Sequence, residues 1–199
     1  MTDTAPELGP AAARMADLVR AVPDGALDAP TPCPEFTIAA LLDHVEDFAG
    51  AFIAAARKAD PGSAGAGAGS SAHPAPGWRD RIPALLDDLA GAWRDPAASV
   101  GLAQAGGLEL PAPVAGLVAL EELVVHGWDL AAALGRTTDV PAGELDAVLG
   151  FFAGLPDDPE ARGSAFGRVV PPVDGATALD RVVAASGRDP GWSPPPTSR

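Results

Sequence analysis

Helix-breaking residues are gathered into a few stretches of this 199-residue chain, and that grouping restricts its fold more than any other feature. The 22 prolines and 23 glycines stand mainly between apolar segments and follow no period, so they punctuate helices and exclude a collagen-like repeat. Residues 11–22 carry Met15, Leu18, Val19 and Val22 at helical spacing and stop at Pro23-Asp24-Gly25. The stretch DAPTPCPEF (28–36) holds three prolines and feeds a second helix, with Thr37 as N-cap, that is expected to run to about residue 59. Residues 60–77 mix Gly, Ala, Ser and Pro without period and read as a flexible surface connection.

A third helix is expected from Trp78 to about Arg94, with Ile82, Leu85, Leu86, Leu89 and Trp93 on one face and Asp95-Pro96 at its end. Residues 97–111 contain a Gly-Gly pair and the run Leu108-Glu109-Leu110; they read as a long crossover rather than a strand. The fourth helix, about 112–134, is the most apolar, and Gly135 sits where a C-cap glycine belongs. A fifth (142–155) carries Leu145, Val148, Leu149 and Phe152 on one face, and a last one covers 176–185. The end PGWSPPPTSR cannot continue a helix. Helix follows helix with no alternating βα pattern, so the expected architecture is an all-α bundle with crossover connections. The expected division is a bundle over 1–167 and a C-terminal segment, 168–199, that packs on it and ends disordered.

Composition narrows the function classes. Thirteen Lys and Arg against 27 Asp and Glu give a net charge of −14, a field that repels phosphate backbones and anionic lipid, so neither nucleic acid nor membrane is an expected partner. The longest weakly charged run, 100–120, is broken by Glu109, Pro111 and Pro113 and fails as a membrane span. The start MTDTAPELGP lacks the regions of a signal peptide. With a single cysteine, Cys33, the chain suits a reducing compartment, and a cytoplasmic protein is expected. No G-x-S-x-G elbow, Walker A loop or C-x-x-C occurs, and the GAGAG run has no preceding strand.

Of three histidines, His73 lies in the glycine-rich connection while His44 and His126 lie within long apolar helices. Glu122 precedes His126 by four residues and Asp129 follows it by three, which lines up all three on one side of the fourth helix. An unpaired carboxylate on an apolar stripe is costly to bury, so Glu122 needs a cation, a protonated partner or a metal. If the second and fourth helices face each other, His44, Glu122 and His126 converge as two nitrogens and an oxygen around a divalent ion, zinc first, with nickel, iron or manganese admitted. The other reading, two core histidines with Glu122 paired to one of them, stays open on spacing alone. Asp129 is a candidate acceptor for the second nitrogen of a ligating imidazole. Cys33 reads as a packing residue, Asp43, Glu46 and Asp47 as a solvated helix face, and the four tryptophans as core or rim.

The segments TPCPEFTIAALLDHV and EELVVHGWDLAAALG resemble the signature of the DinB-like metal-binding superfamily, in its mycothiol-dependent maleylpyruvate isomerase N-terminal domain branch. FGRVVPPVDGATALDRVVAASGRDP is similar to the C-terminal segment of an actinobacterial subgroup of that branch. The resemblance implies a DinB-like four-helix bundle, His44, Glu122 and His126 as metal ligands, zinc as the usual ion, and a mycothiol-type thiol as cosubstrate. Two departures stand out: Phe36 replaces the motif's usual tryptophan, and the isomerase carries a further C-terminal domain. The expected function is a thiol-dependent metalloenzyme of the S-transferase or isomerase kind, with a small-molecule thiol and an electrophilic substrate as partners. A homodimer is admitted. The alternative is a noncatalytic metal-dependent binding or sensor protein with a closed, four-ligand site, which Cys33 alone has the soft atom to complete.

Overall fold

Thr37 starts the second helix: its hydroxyl accepts from the Ala40 amide at 3.2 Å, and α2 runs Ile38–Ala56. The computed structural model describes residues 5–59, 74–105, 107–163 and 165–195. His73, most of the 60–77 connection and the last four residues, 196–199, expected to be disordered, lie outside these. The remaining bundle helices are α1 (Gly9–Ala21), α3 (Trp78–Trp93) and α4 (Ala112–Ala133), all within a few residues of the expected bounds. Gly135, at φ +64°, closes α4. Its amide donates to the Ala132 carbonyl and that of Arg136 to Ala131, both at 2.9 Å, the pattern of a Schellman cap.

The bundle has a defined neighbour order. α1 packs on α3 and α4, and α2 packs on the same two, so α1 and α2 stand on one diagonal and α3 and α4 on the other. The links from α1 to α2 and from α3 to α4 must therefore cross over, as the proline-rich stretch 28–36 and the residues between Trp93 and Ala112 do. Leu41, Leu42, Ile82, Leu86 and Leu89 are fully buried between the helices. α4 is the most enclosed, with 15 of its 22 residues buried. Any polar group it carries must accordingly find its partner inside the protein.

The crossover before α4 corrects the expectation of no strand. β1 (Leu102–Ala105) and β2 (Leu108–Pro111) pair antiparallel, Leu102 opposite Pro111 and Ala105 opposite Leu108. Gly107, at φ +78°, supplies the left-handed conformation that a two-residue hairpin link requires. Small Ala103 and Ala105 point inward and are buried, and β1 lies against α2 and α4. Short strands of small residues have weak periodicity, and packing decides here. Beyond the bundle come α5 (Ala142–Ala153), the one-turn α6 (Pro159–Arg162) and α7 (Ala178–Ala185). α6 begins at Asp158, whose carboxylate accepts from the Glu160 and Ala161 amides. α7 packs on α5 and α4. Among the described residues, no helix is long and apolar enough to cross a membrane.

One glycine of α4 lies tight against Trp93, at the end of α3, and against Ala5. A Cβ at Gly116 would lie 3.0 Å from the Trp93 ring and 2.5 Å from the Ala5 Cβ, and Trp93 is held in place by its Nε1–H donating to the Phe52 carbonyl at 3.1 Å. Gly116→Ala should therefore destabilise by about 1–3 kcal/mol through overpacking. Gly91→Ala, on α3 with open space around it, should stabilise by about 0.5–1 kcal/mol. Thermal unfolding of the two variants beside the parent checks both signs.

Candidate metal centre

His44 projects from α2 and Glu122 and His126 from adjacent turns of α4, two helices that are neighbours in the bundle. One oxygen joins them: Glu122 Oε2 lies 3.2 Å from His44 Nε2 and 3.2 Å from His126 Nε2. The three donor atoms all fall within 4.8 Å of one another. Asp129 is placed beside them, its Oδ2 accepting from His126 Nδ1 at 2.9 Å. Side-chain exposure falls from 28% at His44 and 22% at Glu122 to 9% at His126 and zero at Asp129. A ligand can thus approach over His44 and Glu122, while His126 and Asp129 form the inner wall.

Phe36 packs against both imidazoles. Its ring stacks on His44 at 5.0 Å and 29° and lies tilted against His126 at 5.9 Å, and Phe48 meets His44 edge-on at 5.6 Å. The TPCPEF turn delivers Phe36 rigidly. The buried Thr31 hydroxyl lies 2.8 Å from the Phe36 carbonyl and 3.0 Å from that of Cys33, and the Phe36 amide donates to the Cys33 carbonyl at 3.1 Å. Phenylalanine in place of the motif's tryptophan still puts an aromatic face on the imidazoles.

The electrostatics follow from burial on α4. Burial alone would strip His126 of its proton, but the hydrogen bonds and charges of Asp129 and Glu122 outweigh it and push the pKa up to about 9. Burial would likewise raise Glu122, yet hydrogen bonds from His126 and His44 hold it far below the usual carboxylate range. A neutral His126 that donates Nδ1–H to Asp129 turns its Nε2 lone pair toward the Glu122 oxygen. Two electron-rich atoms at 3.2 Å need a proton or a cation between them. Two imidazole nitrogens and a carboxylate oxygen suit a divalent ion, and tetrahedral ligands at zinc distances stand about 3.3 Å apart, close to both observed separations. The residues present fit a metal.

Two residues that sequence reasoning missed belong to this neighbourhood. Glu121 is 2% exposed, and its Oε2 has no hydrogen-bond partner. Burial first and the Glu122 charge second raise its pKa to about 8, so at neutral pH it is an uncharged acid. The Glu-Glu doublet inside an apolar run was its signal. Arg188, 7% exposed, donates Nη2–H to Asp129 Oδ2 at 3.1 Å, and nothing in its local sequence marks it. Cys33 is not one of the three clustered residues. Its thiol is buried, which raises its pKa against the opposing pull of Arg188, and this agrees with a packing role. The acidic run on α2 is more than a solvated face: Glu46 clamps Arg81 of α3 at 2.5 and 2.9 Å. Trp78 and Trp93 are core, while Trp128 and Trp192 are half-buried.

Comparison with known proteins follows the same lines. The fold is similar to that in the crystal structure of a histidine-to-alanine mutant of the mycothiol-dependent maleylpyruvate isomerase, with TM-score 0.51 and 17% sequence identity. The similarity covers 72% of this chain and 65% of that one, so this chain spans less than two thirds of the isomerase. Comparison with curated proteins returns no match. The sequence pattern of the mycothiol maleylpyruvate isomerase N-terminal domain matches residues 8–131. That span takes in α1 to α3, all but the last two residues of α4 and all three clustered residues, and the chain belongs to the mycothiol maleylpyruvate isomerase N-terminal domain family.

Proposed function

We propose that this protein is a thiol-dependent metalloenzyme of the S-transferase or isomerase kind, with a divalent ion, zinc first, held by His44, Glu122 and His126. The observation that carries the reading is the single carboxylate oxygen of Glu122 lying 3.2 Å from both imidazole Nε2 atoms. The cosubstrate it favours is a low-molecular-weight thiol of the mycothiol type, in line with family membership, together with an electrophilic small molecule. When bound by three protein ligands, a divalent ion supplies an acidifying position at which a thiol is held as the more nucleophilic thiolate.

The chain's own residues have distinct parts in this. Asp129 keeps the proton of His126 on Nδ1 and so leaves Nε2 as the donor. Phe36 and Phe48 enclose the His44 ring and exclude water from one side of the site, which strengthens the electrostatics within it. The more exposed edges of His44 and Glu122 leave the approach for a thiol. A closed four-ligand centre would need a further donor, and Cys33, outside the cluster, does not offer it; this favours the open, catalytic reading over a binding or sensor role. Maleylpyruvate isomerisation itself is not assigned, because the similarity covers 65% of that enzyme's chain.

The first test is elemental analysis of the purified protein beside His44→Ala, Glu122→Ala and Cys33→Ser, each checked for folding by circular dichroism. The parent and Cys33→Ser should carry near-stoichiometric metal. The two ligand variants should lose more affinity than the roughly 10–100-fold that follows loss of a hydrogen-bond partner of a ligand. Calorimetry should then show mycothiol binding to the zinc-loaded protein and none to the metal-free form. A folded parent that refuses zinc, nickel and manganese sinks the reading.

Proton linkage gives a second test. The folded-state pKa of His126 is raised from 6.5 to about 9, so the metal-free protein carries this proton at neutral pH. Its stabilising effect is complete below the unfolded pKa and is lost as pH rises through about 9. Metal needs the neutral imidazole, so binding near pH 7.5 should release close to one proton from His126. Apparent affinity should climb about tenfold per pH unit and level off above pH 9. Calorimetric titrations in buffers of different ionisation enthalpy measure the proton count directly, and a count near zero contradicts the assignment.

A further inference from the structure

Asp129 Oδ2 takes two hydrogen bonds. One comes from His126 Nδ1 at 2.9 Å, on its own helix, and the other from Arg188 Nη2 at 3.1 Å, 59 residues further along the chain. Arg188 and Asp129 are both buried, at 7% and zero side-chain exposure. Arg188 lies well outside the family-matched residues 8–131. We infer that Arg188 is a positioning residue of the metal centre, acting through Asp129 on His126, so that the segment following α7 is a working part of the site. This rests on the metal reading above.

The backbone around Arg188 is built to hold it there. The Arg188 amide donates to the Val183 carbonyl and the Gly187 amide to Ala184, both at 3.1 Å, which makes Arg188 the closing residue of a Schellman cap on α7. Gly187 sits at φ +91°, and a Cβ there would come within 2.5 Å of the Gly167 Cα. The buried Arg162 ties the two strands of chain together: its Nε–H donates to the Gly167 carbonyl at 2.5 Å and its Nη2–H to the Ala185 carbonyl. Val170 N–H donates to the Ala184 carbonyl at 2.9 Å. Arg188 therefore leaves α7 in one direction, with its second nitrogen, Nη1, 3.4 Å from the Ser186 carbonyl.

The shared oxygen is what separates positioning from mere docking. A carboxylate three residues from a histidine on a helix has several rotamers open to it, and the neutral imidazole that metal binding requires cannot balance a fully buried charge. Arg188 balances that charge and donates to the same Oδ2 that accepts from His126. Asp129 is then an acceptor in one place, and the ring it holds points Nε2 at Glu122 and His44.

The test is zinc affinity of the full-length protein, by competition with a chelator, in the parent and in Arg188→Met, Arg188→Lys, Asp129→Asn, the Arg188→Met/Asp129→Asn pair and Val183→Ala. Arg188→Met should lose about 10–100-fold in affinity. Arg188→Lys should recover most of the loss by restoring the charge. The double variant should bind no more weakly than the worse single one, because both act on the same imidazole. Val183→Ala, which empties a fully buried position on α7, should lower the melting temperature and leave affinity unchanged. If Arg188→Met does not fold, Arg188→Gln carries the test with an expected loss of at least about tenfold. Parent affinity in a folded Arg188→Met or Arg188→Gln overturns the inference alone, as does an equal loss in Val183→Ala. A parent that takes up no zinc overturns the metal reading and this inference with it.

Discussion

A helix buried on nearly all sides carries Glu121, Glu122, His126 and Asp129 within nine residues, and balancing the charges among them takes groups from elsewhere in the chain. α4 cannot do this alone: it places Asp129 on His126 and His126 on Glu122, then runs out of partners. α2 adds His44, the prolyl turn before α2 adds Phe36, and the segment after α7 adds Arg188. These are three separate stretches of sequence brought to one point. The apolar core holds the bundle together by burial, but the polar row on α4 determines which elements must surround it. An apolar helix of the same shape would tolerate many arrangements of its neighbours.

The crossed connections serve this requirement. Placing α1 and α2 on a diagonal makes α2 a neighbour of α4, so a histidine on α2 can reach a carboxylate on α4. The link between α1 and α2 has to span that diagonal, and the proline-rich turn does so while also presenting Phe36. On the opposite flank, α5 and α7 cover the α4 surface that the four-helix bundle leaves open. Arg188 enters from this flank, through a helix end whose cap allows no slack. Site residues therefore converge on α4 from both of its sides.

Much of this was legible in the sequence for reasons that can be stated residue by residue. The helices were readable because proline, glycine and apolar periodicity agree with one another at each boundary, as at Thr37 and Gly135. His44, Glu122 and His126 were singled out because a histidine or carboxylate on an apolar stripe breaks its own pattern, and the structure brings these three together. What escaped was non-local. Nothing near Arg188 says that its partner is a carboxylate 59 residues away, since a lone arginine after a short helix is ordinarily a surface residue. Glu121 escaped because one carboxylate of a doublet was sufficient to explain the pattern. The hairpin escaped because Ala103 and Ala105 have little preference for strand, and only their burial against α2 and α4 gives it one.

Charge counting around α4 ties these features into one argument. Arg188 offsets Asp129, and Glu121, with its pKa raised to about 8, stays uncharged at neutral pH. Glu122 remains an ionised carboxylate with two imidazoles against a single oxygen. The Glu122 charge is met in two ways, by a proton on His126, which makes the site neutral, or by a divalent cation among the three donors, which leaves one positive charge that a bound thiolate would offset. The surroundings serve both states equally, because Asp129 accepts the same Nδ1–H in each. Proton and metal thus compete for Nε2 of one residue, and the Asp129 and Glu122 carboxylates that hold the proton against burial also favour a cation in its place. A site built only to bury a salt-bridged histidine is already paired through His126, and a second imidazole on the same oxygen adds only a further hydrogen bond to Glu122. His44, which the pairing of Glu122 and His126 does not require, is the residue on which the proposed metal reading turns, since a buried ion pair alone is complete without it.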